Sequence, residues 1–217
     1  DYRPQQRQKL CELAWKLPGE ELVLLGQGDG AWLALRALAD GPGLRGACLL
    51  DAWPRLADSP PVPEAHEKWH AEAARKSGWL ASEAVARLTQ RPMDGREARA
   101  WDAPFARPGH RAALQAWPAV QRQLLADELA DEAVHALLGE LLAAGHLLLC
   151  AGEQGSWWSA QQLRAAWLAA LPQLEQYPGA WRLTPLSSLV PDGIEAMSRG
   201  AVEYFERPLN TLLRSHP

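Results

Sequence analysis

The chain has 217 residues, enough for one domain with a substantial core. Its 22 basic and 26 acidic residues are scattered and leave a formal charge of −4, which excludes the basic footprint of a nucleic-acid binder. No apolar run approaches the roughly 20 residues of a membrane helix, and the polar start DYRPQQRQKL is not a secretory signal.

Taken in order, Arg7–Lys16 has the spacing of a helix, which Pro18-Gly19 ends. A short apolar run, Leu22-Val23-Leu24-Leu25, follows as a buried strand. Glycines then recur at alternate positions, Gly26, Gly28 and Gly30. A helix runs on to Ala39, with Trp32, Leu35 and Leu38 on one stripe, and Gly41-Pro42-Gly43 turns the chain. Ala47–Leu50 reads as a second fully apolar strand, ending at Asp51. Two such strands around a helix predict parallel pairing with both sheet faces covered.

Proline-rich residues 54–63 break this rhythm, and no strand is predicted from Glu64 to about Ala144. Helical patterns recur near Glu64–Lys76, Trp79–Leu88, His110–Ala116 and Gln123–Ala143. The α/β alternation then resumes with a strand at His146–Ala151, a helix at Ser159–Leu171, a strand at Ala180–Thr184 and a helix at Pro191–Phe205. Of the cysteines Cys11, Cys48 and Cys150, two fall inside strands and read as buried free thiols of a reducing, cytoplasmic compartment.

Strand, glycine turn and helix at residues 22–39 have the layout of a nucleophile elbow. Small residues are needed two before and two after the nucleophile, and Gly26 and Gly30 fill those places, with Ala31 beside them. The nucleophile position itself is Gly28, which carries no reactive group. Moving the register to Asp29 would put Gln27 and Ala31-Trp32 where small residues are required. The alternative reading of Asp29 is a cap on the helix.

The order of elements resembles the C-terminal two-thirds of an α/β-hydrolase, with residues 54–144 as a helical cap and 1–53 plus 145–217 as the core. The run Trp101-Asp102-Ala103-Pro104-Phe105, then Arg111 and Trp117-Pro118, is similar to the cap segment of the haloalkane-dehalogenase and epoxide-hydrolase branch. The resemblance implies a mostly parallel sheet with flanking helices. It also implies that the strands preceding the elbow are missing here, so that a separate N-terminal segment would complete the sheet. The acid of such a site would be Asp51, or would lie in the turn Gly152-Glu153-Gln154-Gly155, where Gly155 replaces the usual Asp and Glu153 stands close by. The base belongs to residues 185–191, which contain no His; the next is His216. Nucleophile and base are thus both absent from their places, and the resemblance points to a non-catalytic member of the superfamily.

Two further patterns compete. His66-Glu67-Lys68-Trp69-His70 is a literal H-E-x-x-H, which on a helix can offer two zinc ligands and a general base. Lys68 is atypically polar for it, and only Glu83 suggests itself as a third ligand, so a polar helix face with two solvated His is the expected reading. The tryptophans near the predicted strand ends and in the cap segment could instead line a pocket. His110, His135 and His146 have no evident partner and read as structural or surface residues.

The expected fold is therefore α/β, hydrolase-like, with a helical cap. The expected function is binding of a small apolar ligand or a protein partner, by Gly28, Asp29, Asp51, Trp53, Trp101, Phe105, Trp117 and Trp157. One alternative is a hydrolase of esters, carbon–halogen bonds or epoxides that has part of its site in a missing N-terminal segment or uses Asp29 or Asp51, with Glu153 a further catalytic candidate. The other is a zinc hydrolase that uses His66, Glu67 and His70. No cofactor, nucleic-acid partner or membrane span is expected.

Overall fold

The structure is a computed structural model that describes residues 12, 16, 22–39, 44–75, 78–89, 92–107, 109–111, 116, 119, 132–153, 157–184, 195, 199 and 201–205. Four strands form one sheet in sequence order: β1 (Val23–Gln27), β2 (Gly46–Leu50), β3 (Leu147–Gly152) and β4 (Trp181–Thr184). Every neighbouring pair is parallel, with Leu25 opposite Cys48, Cys48 opposite Leu148 and Cys150 opposite Arg182. The α-helices with described bounds are α1 (Gly28–Ala39), α2 (Glu64–Arg75), α3 (Ala81–Thr89), α4 (Gly95–Asp102), α5 (Glu132–Ala143) and α6 (Ala160–Ala170). Among the described residues, no helix is long and apolar enough to cross a membrane.

Alternation along the strands divides the core in two. Ala47, Leu49, Leu147, Leu149 and Ala151 point to one face, where they pack with Trp32 and Leu35 of α1, Leu138 and Leu142 of α5, and Leu163 and Trp167 of α6. Cys48, Leu50, Leu148 and Cys150 point to the other, under Ala201 and Tyr204 of the helical residues 201–205. Strands in sequential order joined by connections of one hand put their helices on one side of the sheet. The helices immediately before β2, β3 and β4, which are α1, α5 and α6, lie on the first face accordingly. Covered on both faces, β2 and β3 consist wholly of buried residues. Each such leucine contributes about 1.5–3 kcal/mol by leaving water.

The thiols of Cys48 and Cys150 are free and buried, with sulfurs 3.8 Å apart on adjacent strands. The neighbouring thiol, and then burial, push the Cys48 pKa up. Cys48 therefore behaves as a core residue rather than a nucleophile, and Cys150 is buried beside it in the same cluster.

Most elements match the sequence pattern, but α4 has no counterpart in it. None of its residues is buried, so it has no apolar stripe to read. It is fixed at its ends instead. Asp94 accepts from the amides of Arg96 and Glu97, and Asp102 accepts from both the amide and the hydroxyl of Ser82 on α3. The helix predicted at Gln123–Ala143 is described from Glu132, and its C-terminal half packs on the sheet. The predicted helix at Arg7–Lys16, Trp117, Gly155, the 185–191 window and His216 lie outside the described residues, apart from the isolated positions 12 and 16.

Candidate functional site

The site starts at the turn between β1 and α1. Gly28 is the first residue of α1 and has φ +51°, a left-handed conformation that favours glycine. Gly26 lies so close to α1 that a methyl there would stand 2.7 Å from both Cα and Cβ of Ala31. The small residue before the turn is thus a packing requirement. Gly30 differs, since a Cβ there would meet nothing within 4 Å, and the same holds at Gly28.

Asp29, in the first turn of α1, has a side chain only 7% exposed. Its Oδ1 accepts from Nη2 of Arg55 at 3.0 Å. Its other oxygen, Oδ2, stands 3.8 Å from Nε2 of His66. Arg55 comes from the loop after β2, which three indole N–H groups hold in place. Trp167 donates to the Ala52 carbonyl, Trp32 to that of Trp53, and Trp53 to that of Pro60. The proline-rich segment is therefore pinned to the sheet-packing helices, and it carries the guanidinium to the start of α1.

Helix α2 supplies the rest. Its buried residues are His66, His70 and Ala73, spaced at i, i+4 and i+7. The inward stripe of this helix is therefore largely imidazole. Nε2 of His70 lies 3.1 Å from Nε2 of His66. The His66 ring is walled by Trp157, edge-on at 5.5 Å, and by Trp158 at 5.6 Å. Trp158 in turn packs on Trp53, and Trp157 on Trp69. Burial, reinforced by His70, lowers the His66 pKa to about 4; Asp29 opposes that shift and Arg55 adds to it. His66 is therefore neutral at neutral pH. Its Nδ1 is buried with no hydrogen-bond partner among the described residues.

This arrangement corrects the reading of H-E-x-x-H as a solvated face, because His66 and His70 are 5% and 4% exposed. Glu67 and Lys68, the next two residues along the helix, are exposed, and Lys68 pairs with Glu64. Glu83 is exposed on α3. The third donor beside the two imidazoles is instead Asp29, and Asp29, His66 and His70 offer ligand atoms all within 4.8 Å of one another.

The other candidates are placed as follows. Asp51 has φ +45°, and its Oδ1 accepts from the amide of Gly152, so its carboxylate ties the end of β2 to β3. Glu153 is exposed, and its amide bonds the Thr184 carbonyl. Trp101 and Phe105 are half-buried at the end of α4 and in the 3-10 turn after it, where Arg111 donates to the Phe105 carbonyl. The rings in contact with the His pair or stacked on its walls are Trp53, Trp69, Trp157 and Trp158. Arg55 had no motif to mark it; a lone arginine among prolines is not a pattern.

Chemically, the cluster pairs one carboxylate with two convergent imidazole nitrogens in a nearly dry setting. That is a donor set for a cation, or for a ligand carrying hydrogen-bonding groups. Compared with protein-family models and with curated proteins, the chain matches none.

Proposed function

We propose that this chain is an α/β-hydrolase-like protein that binds rather than turns over, and that it binds at the start of α1 beside Asp29, His66 and His70. The observation that carries this reading is Gly28. It holds the turn position after β1, has φ +51°, and has open space where a side chain would begin. A nucleophile is therefore lacking at the one position built to raise it. The parallel order β1-β2-β3-β4, with α1, α5 and α6 on one face and residues 201–205 on the other, supports the hydrolase-like assignment. Ligand sites in open α/β sheets lie beyond the carboxyl ends of the strands, where Asp29 and Asp51 stand. The tryptophan walls suit the apolar body of a small ligand, and the imidazoles suit its polar end.

A second reading, hydrolysis with Asp29 as nucleophile, is favoured by the His66 imidazole 3.8 Å from its carboxylate. Arg55 weighs against it, because a guanidinium bonded to Oδ1 stabilises the carboxylate charge that attack must spend. Hydrolysis of a short-chain p-nitrophenyl ester separates the two. Binding without turnover gives the buffer rate; turnover that disappears in Asp29→Asn establishes the second reading.

A further inference from the structure

We propose that Asp29, His66 and His70 bind one divalent first-row transition-metal ion, with zinc the default occupant. This deepens the binding reading of the same site by assigning it an inorganic ligand.

Donor type is the first support. Two imidazoles and one carboxylate suit zinc, iron(II), cobalt and nickel, and are a poor set for magnesium or calcium, which take oxygen donors. Geometry is the second. An ion roughly 2.0–2.2 Å from each donor needs donors roughly 3.3–3.5 Å apart in a tetrahedron. Nε2 of His66 and Nε2 of His70 stand 3.1 Å apart, and Oδ2 of Asp29 lies 3.8 Å from the first of them. At these two distances the donors need shifts of about 0.2–0.5 Å to reach that spacing, and all three residues offer ligand atoms within 4.8 Å of one another.

The direction of the nitrogens is the third support. When both imidazoles are neutral, rings meeting Nε2 to Nε2 share a single proton, so one ring adopts each tautomer. A cation uses both lone pairs at once, with the proton of each ring on Nδ1.

The surroundings also fit a ligand set. Arg55 holds Oδ1 of Asp29 and so aims Oδ2 at the imidazoles, the role of an outer-shell partner. Trp157 and Trp158 fix the plane of the His66 ring. The three ligands come from α1 and α2, two separate helices, so a bound ion would cross-link the elbow to the helix above it.

The test uses the full chain, stripped with chelator and titrated with Co2+, read by the visible d–d bands of the bound ion and by competition with Zn2+. The expected result is one Co2+ per chain, displaced by one Zn2+. Asp29→Asn and His70→Gln keep the side-chain volume, and each should weaken binding at least tenfold, with circular dichroism confirming the fold. Glu67→Gln, on the solvent side of α2, should leave affinity within about twofold. The absence of Co2+ bands in the folded wild type overturns the proposal, as does equal binding by the Asp29 and His70 variants. A loss of binding in Glu67→Gln also overturns it, in favour of a different ligand set. The ester assay tells these failures apart from failure of the binding reading. A protein that takes no metal and turns over no ester refutes only the metal site.

Discussion

Oδ2 of Asp29 and Nε2 of His66 face each other at 3.8 Å, one from the first turn of α1 and the other from the first turn of α2. This juxtaposition joins two patterns that the sequence keeps apart, the glycine turn and the H-E-x-x-H helix.

The Arg55–Asp29 pair is largely buried, with side chains 11% and 7% exposed. Removing one partner leaves the other charge short of its compensation. Arg55→Leu is expected to lower stability by about 2–3 kcal/mol, read as a fall in the urea midpoint with an unchanged slope. A variant as stable as wild type would show that Asp29 is compensated without Arg55.

The glycines of the turn differ in a measurable way. Gly26→Ala drives a methyl to 2.7 Å from Ala31; it should destabilise by about 1–3 kcal/mol, as overpacking does. Gly30→Ala meets no atom within 4 Å, and should stay within about 0.5 kcal/mol of wild type. Thermal melts of the two variants check the contrast.

Gly28→Ser should create no useful hydrolase. The new side chain must accept φ +51°, at a cost of about 1–2 kcal/mol. Nucleophile and base act as a unit rather than additively, and residues 185–191 supply no His. Ester hydrolysis by this variant should equal that of wild type, and a rate gain of a hundredfold would show that a neighbouring imidazole can serve as base.

His66 titrates near 4 in the fold, against 6.5 ordinarily. Between those values the unfolded chain binds a proton that the native state refuses. Stability therefore rises with pH across this window, and is lost as pH falls from 6.5 toward 4. For metal-stripped protein the His66 share is roughly 3 kcal/mol. Urea midpoints at pH 7 and 4.5 should converge in His66→Gln relative to wild type; an identical pH response would show that His66 does not carry it.

The sheet was readable because its signals are local. Short apolar runs at Ala47–Leu50 and around Leu147–Cys150 have the length and composition of strands buried on both faces. Positional glycine chemistry likewise marked Gly26 and Gly28. The site was less readable, because each of its members looks ordinary by itself. His66 and His70 sit on a helix that also carries Glu64, Glu67, Lys68, Glu72 and Arg75, and those charges argue for a solvated face. Only the fold reveals that Trp157 and Trp158 wall the His66 ring, with Trp53 packed on Trp158, and that the loop after β2 brings Arg55 to Asp29. Helix α4 escaped for a related reason, since its stability comes from Asp94 and Asp102 rather than from an apolar face.

Whether the site binds or reacts is tested most directly by intact-mass analysis of the wild-type chain. The protein is incubated with a p-nitrophenyl ester, a 1-bromoalkane and an aryl epoxide in turn, in water enriched in oxygen-18. Binding without turnover predicts no product above buffer, no covalent adduct, and no heavy oxygen in the peptide that carries Asp29. Product formation with an adduct or heavy oxygen on Asp29 would contradict the account and make this carboxylate a working nucleophile.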